Sequence, residues 1–234
     1  MPRAQKKTTQ KRTPGRPSKT AGPGLTRERV IEAALLHVDA HGVDSLGIRK
    51  LASELGVAPN SLYWYVRDKD DLIDGVVDSV FGKLEVPPPT AAEWTERLRE
   101  VCLWFRGELL KHPNVVAAPG FRRTFPFGLL PLTYAAGEIL AEAGYDGEEL
   151  VYTCQAVFYH TIGFVTLEVG RARHGVPTRS DEAILERVGV NLGETRMAEA
   201  GELLPLAREM DLDAVFALSL DALLEGLAAR RRSS

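Results

Sequence analysis

The stretch Ile48-Arg49-Lys50-Leu51-Ala52-Ser53-Glu54-Leu55-Gly56-Val57-Ala58-Pro59-Asn60-Ser61-Leu62-Tyr63-Trp64-Tyr65 constrains this chain more than any other. Ile48, Leu51, Ala52 and Leu55 form an apolar stripe at helical spacing, and a second helical segment opens at Pro59 after only Gly56, Val57 and Ala58. So short a joint admits only a tight helix-helix corner. Ala52 is small enough to let the two helices approach, Gly56 supplies the turn, and Leu51, Leu55, Val57 and Leu62 bury the inner faces. Asn60, Ser61, Tyr63, Trp64 and Tyr65 remain for the outside, a heavy load of polar and aromatic groups for two turns. Such an exposed cluster invites a partner.

The flanking sequence supplies the rest of a helical unit. Thr26 is a good N-cap for a helix over Arg27–His41, in which Val30, Ala33, Ala34, Val38 and Leu35 or Leu36 recur at helical spacing before Gly42 ends it. Ser45 is positioned to cap the second helix, Leu46 to Leu55, and the third runs from Pro59 to Tyr65. Asp68 caps a fourth to Lys83, with Asp70 and Asp71 in its first turn. Val86-Pro87-Pro88-Pro89 cannot continue a helix and reads as a boundary. Beyond it the periodicity predicts helices at 92–111, 126–143, 147–174, 181–197 and 208–230, and nothing alternates like a strand. Leu150 to Val169 is apolar on most sides, which predicts burial between helices of this chain or against a second copy. The expected fold is all-α, with a basic arm over 1–23, a helix-turn-helix unit over 24–84, a proline linker over 85–91 and a larger helical domain over 92–234.

Composition narrows the function classes. Hydrophobic residues make up 44% and charged residues 26%, so the chain can bury a core. No run approaches the roughly 20 unbroken apolar residues of a spanning helix, and the basic N-terminus lacks the apolar segment of a secretory signal. Cys102 and Cys154 form no CxxC, which fits a reducing compartment and a cytoplasmic location away from membranes. Hydrolase, phosphate-loop, dinucleotide and zinc-protease motifs are absent, so no enzyme, cofactor or metal site is expected, although a helical enzyme indifferent to DNA stays open. His37 and His41 are spaced to clip a metal, but no third ligand lies near.

Leu55-Gly56-Val57, Ser61-Leu62-Tyr63-Trp64-Tyr65-Val66 and Lys69 together resemble the TetR family of transcriptional regulators, in its tetracycline-repressor branch. The resemblance covers about residues 25 to 84 closely and continues loosely through Trp104-Phe105-Arg106 and Tyr159-His160-Thr161-Ile162-Gly163. It implies that Arg49, Pro59, Asn60, Ser61, Tyr63, Trp64 and Tyr65 face the major groove of DNA and its walls, and that Lys69 meets a phosphate. The residue types suit such an interface, because Arg bonds guanine, Asn bonds adenine, hydroxyls reach phosphates and aromatic rings press on thymine methyls. Tyr65 stands where that branch has histidine and Asn60 where it has proline, which leaves the operator sequence open.

The resemblance further implies a homodimer on a palindromic double-stranded operator, formed by the long helices near 147–174 and 208–230. It implies a hydrophobic or aromatic small-molecule effector near Phe105, Thr133, Gly137, Val151, Cys154, Gln155 and Phe158. Gln155 is notable on its own terms, since an amide in the middle of an apolar helix needs a partner. A regulator without a small-molecule ligand, whose larger domain only dimerises or holds a protein, is the alternative. The branch's histidine-rich stretch after the fourth helix is absent here, which argues against a metal-chelated drug. The arm holds seven basic and no acidic residues in its first 23, leaving 22 basic against 32 acidic residues elsewhere. Pro14-Gly15-Arg16-Pro17 resembles a minor-groove hook, and a solvated tail that only strengthens phosphate attraction is the other reading of Arg16 and its neighbours.

Overall fold

In a computed structural model, residues 24–118, 129–174, 202–203, 205–207 and 209–233 are described, and among them the chain is helical with no strand. Helix α1, Arg27–His41, has the expected bounds because both of its ends are set locally. The Thr26 hydroxyl accepts the Arg29 amide at 3.3 Å, and Gly42, at φ +79°, sends its amide to the Val38 carbonyl. A 3₁₀ turn over Val43–Ser45 follows.

Helix α2, Ile48–Glu54, begins later than the Leu46 start that a Ser45 cap implies, and Gly47 precedes it without a side-chain cap. Ser45 is spent elsewhere. Its hydroxyl donates to the Gly42 carbonyl at 2.9 Å and faces the ring Nε2 of buried His37, also at 2.9 Å. The other ring nitrogen, Nδ1, lies 2.9 Å from the Glu54 carboxylate, so one imidazole ties α1 to both the turn and α2. His41 packs beside it, with ring centroids 4.9 Å apart.

Gly56, at φ +66°, makes the corner, and α3 is a single turn, Pro59–Leu62, that relaxes into hydrogen-bonded turns through Val66. Helix α4, Lys69–Phe81, is capped by Asp68, whose carboxylate accepts the Asp71 amide at 2.8 Å. It ends two residues before the expected Lys83. Helices α1 and α4 approach closely at Gly75, where an added β-carbon would collide with Ile31 Cδ1. At the other end, Arg27 donates to the Tyr65 carbonyl at 2.5 Å and pairs with Asp71 at 2.9 Å. That guanidinium, with the Arg67 amide, holds the Asp71 carboxyl at a pKa of about 2.

The larger part is built around α5, Trp94–Lys111, which packs against the three long helices α7, Leu130–Glu142, α8, Gly147–His174, and α9, Leu212–Ser233. A one-turn helix α6, Pro113–Val116, follows α5 directly and touches α1 as well as α5 and α8. Sequence periodicity missed α6, since four residues display no period. The helix expected at 126–143 begins at Leu130, the last runs to Ser233, and the one expected at 181–197 lies outside the described residues.

Phe105, Leu109, Leu132, Ile139, Phe158, Val165, Phe216 and Leu220 fill the centre, and this core is continuous with that of α1 to α4. Arg106, only 8% exposed, is satisfied by Glu168 at 2.8 Å and Asp213 at 2.6 Å while its guanidinium lies over the Phe216 ring. Arg231 of α9 donates to the Ala143 and Gly144 carbonyls, satisfying the end of α7, and sits over Tyr145. By length and composition α8 would suffice to cross a membrane, yet here it packs against α5, α7 and α9.

Candidate nucleic-acid interface and effector site

The one-turn α3 sorts its side chains by depth. Leu62 and Val66 are buried in the core of the α1–α4 unit, which pins the segment from beneath. Tyr63 and Trp64 are then forced outward, 55% and 70% exposed. Pro59 and Asn60 are exposed on the same turn, and Arg49 is exposed at the second position of α2. Lys69 is exposed at the first position of α4.

Two of the expected groove residues sit deeper than the rest. Ser61 is 7% exposed and faces the interior, one step before Leu62 on the anchored side of the turn. Tyr65 is half-buried with its ring against the core, and its carbonyl, not its side chain, is engaged, by Arg27. Both placements have one cause: a four-residue helix locked by Leu62 and Val66 leaves Pro59 and Asn60 at its start and Tyr63 and Trp64 after it for the outside. Arg16 lies outside the described residues.

Two cations that the motif did not single out belong beside this face. Lys50 is exposed next to Arg49, and the Arg67 side chain is 83% exposed between Trp64 and Lys69. Their adjacency to the motif was the available signal. Two of the nearby acids are consumed within the fold: Asp68 caps α4, and Asp71 binds Arg27 and the Arg67 amide, at 2.8 Å for the latter. Arg49, Lys50, Arg67 and Lys69 are exposed on the segments before and after the two outward aromatic rings, a set of residues suited to phosphates and base edges.

The expected effector residues are only partly gathered. Phe105 and Phe158 meet edge to face with centroids 6.2 Å apart, and Cys154 is buried beside them on α8. Thr133 and Gly137 are half-buried on α7, with the Thr133 hydroxyl donating to the Leu129 carbonyl at 3.1 Å. Val151 is 50% exposed and so does not line an interior site in this chain. Gln155 carries the clearest signal, because its Oε1 is buried with no hydrogen-bond partner among the described residues. Burial raises the pKa of both cysteines, that of Cys102 to about 12, so both stay as thiols at neutral pH. A groove of about 760 Å³ between α5 and α9, lined by Arg99, Asp221 and Arg232 among others, does not include the expected effector residues.

Against known proteins, residues 30–76 match the description "Bacterial regulatory proteins, tetR family", and residues 86–231 match "Tetracyclin repressor-like, C-terminal domain". An HTH-type transcriptional regulator of Saccharopolyspora erythraea is 33% identical over 159 residues, covering 68% of this chain and 67% of that protein. The class A tetracycline repressor from transposon 1721 of Escherichia coli is 30% identical over 217 residues, covering 88% of this chain and 92% of its own length. Among solved structures, apo ActR from Streptomyces coelicolor superposes with a TM-score of 0.73 at 26% identity, covering 89% of this chain and 97% of that one. ActR has also been solved in complex with actinorhodin, and that structure matches with a TM-score of 0.70.

Proposed function

Because the chain belongs to the TetR family of bacterial regulatory proteins, we propose that it is a homodimeric transcriptional repressor that holds a palindromic operator until a small molecule releases it. The observation that carries the DNA reading is the pair Tyr63 and Trp64, pushed into solvent by buried Leu62 and Val66, with Arg49, Lys50, Arg67 and Lys69 exposed on the neighbouring segments. An isolated soluble domain gains nothing by exposing an indole to that extent; a reader of base edges does. Arg49 and Asn60 are the residues assigned to bases, Tyr63 and Trp64 to thymine methyls and groove walls, and Lys50, Arg67 and Lys69 to phosphates.

Dimerisation is supported by the outer faces of the last two long helices. Tyr152, Tyr159 and Leu167 recur along α8 at near-heptad spacing, and all three are exposed, as is Leu218 on α9. A monomer would leave these side chains in water, and a twofold bundle of α8 and α9 with their mates covers them. The reading head would span residues 24–84 and the sensing and dimerising body 92–234, joined by the proline segment, in a cytoplasmic protein.

Effector binding is supported by the buried Gln155 Oε1, without a partner among the described residues, on the same helix as Phe158 of the Phe105–Phe158 pair, which suits a flat apolar molecule carrying a hydrogen-bond donor. The structural relative ActR is known in complex with actinorhodin, which supports ligand response without naming the ligand here. Gel-shift titration with the DNA flanking its own gene tests the DNA reading: a discrete complex that unrelated duplex fails to compete is expected. Equal competition by unrelated duplex would reject it. A thermal-shift screen of planar aromatic compounds tests the second half, and a compound that stabilises the fold must also weaken the complex.

A further inference from the structure

We propose that Asn114 is a positioning residue that sets the angle between reading head and body, by joining the C-terminus of α1 to the C-terminus of α8 through one amide. The inference rests on the chain being a two-headed DNA reader. The last four carbonyls of α1 have no partner within the helix. The Val38 carbonyl is answered by the Gly42 amide at 2.8 Å, and the next, Asp39, is answered from the body by Asn114 Nδ2 at 2.9 Å. The same side chain's Oδ1 accepts the Arg173 guanidinium, on the last turn of α8, at 2.5 Å. His112 Nδ1 stands 3.4 Å from the Asp39 carboxylate on the other side.

The backbone of Asn114 is itself held. Pro113 starts the single turn of α6, and Val115 and Val116 are both fully buried, so the amide projects from a fixed base. The Arg173 guanidinium also lies against the α1 terminus, since a β-carbon at Gly42 would be 3.2 Å from its Nη2. Only an amide offers a donor and an acceptor in one plane; aspartate would keep Arg173 and lose Asp39, and a hydrophobe would lose both.

The consequence reaches the reading face through α1. That helix packs against α4 and is bound to α2 by His37, so α1 to α4 move as a block and a tilt of α1 re-aims Tyr63 and Trp64. In a twofold reader the tilt changes the distance between heads, whereas the half-site each head recognises is unaltered. The contacts are exposed to water, so their weight falls on orientation more than on folding stability.

The test uses the full-length protein and a random duplex library, with bound DNA sequenced for wild type, Asn114→Asp, Asn114→Ala and Arg173→Gln. The expected result is one half-site sequence in all four proteins. Wild type should select one half-site spacing, and each variant should relax that preference about fivefold or more, the scale of ordinary coupling between sites. An unchanged spacing distribution in the variants overturns the proposal. Lost half-site recognition together with lost helical circular dichroism in both Asn114 variants and in Arg173→Gln also overturns it, because the clasp is then structural. Failure of wild type to select any DNA sinks the underlying reading and this proposal with it.

Discussion

Ser61 and Tyr63 are two positions apart, and their opposite fates show how α3 works. Ser61 is inside and Tyr63 outside, because Leu62 and Val66 fix the rotation of a turn too short to fix its own. Trp64→Ala should therefore leave the fold within about 0.5 kcal/mol of wild type in urea denaturation, the range of surface substitutions. In gel shift it should weaken operator binding about 5-fold to 150-fold, corresponding to loss of about 1 to 3 kcal/mol of base contact. Arg106 predicts the reverse pattern. Arg106→Met strands Glu168, 15% exposed, without its cation and should cost about 3 to 5 kcal/mol in the same denaturation assay, lowering stability before any effect on DNA is read. The exposed cluster was legible in the sequence as a class of residues, since apolar spacing accounted for everything else in the motif. The inward turn of Ser61 and Tyr65 was not, because a single turn carries no periodicity from which to phase its faces.

Elements were legible wherever their ends are decided by near neighbours. Thr26 and Gly42 fix α1 through contacts within four residues, and Asp68 fixes the start of α4. The start of α2 was misread because the Ser45 hydroxyl is taken by Gly42 and His37, a tertiary contact that no local rule contains. The junction of α1 with α4 gives two predictions. Gly75→Ala drives a β-carbon into Ile31 Cδ1, and this overpacking, set against the roughly 1 kcal/mol that alanine gains over glycine inside α4, should destabilise the fold by about 0 to 2 kcal/mol in chemical denaturation, a loss that Ile31→Val in the same chain should relieve. The Arg27–Asp71 pair sets an acid limit. With the Asp71 pKa at about 2 in the fold and about 3.9 in the unfolded chain, its contribution is complete above pH 4 and disappears as the pH falls toward 2. Allowing for solvent around Arg27, the loss should be about 1 kcal/mol, and Asp71→Asn should remove that part of the acid dependence of the melting temperature.

At the scale of the molecule, the two assigned parts share one continuous core, and α6 is the piece of the body on which α1 rests. On the proposed function, binding and release of DNA would be mechanically joined, with the proline segment as a tether and α1 as the seat. The uncovered stripe on α8 and α9 makes the second copy part of the account. Wild type should sediment as a dimer, and Tyr159→Glu combined with Leu218→Glu should sediment as a folded monomer with its helical content kept. The all-helical architecture followed from spacing alone, whereas the proposed effector site was less legible, because Phe105, Cys154 and Phe158 look like ordinary core and only the buried Gln155 oxygen, without a partner among the described residues, sets that stretch of helix apart. The most direct measurement of the central claim, that α3 is held outward to read DNA in pairs, is a hydroxyl-radical footprint on the DNA flanking the gene. Two protected patches related by twofold symmetry, with centres one helical turn of about 10 base pairs or a multiple apart and both erased by Trp64→Ala, are the predicted result. Protection spread evenly along the duplex, or patches that survive Trp64→Ala, would contradict it.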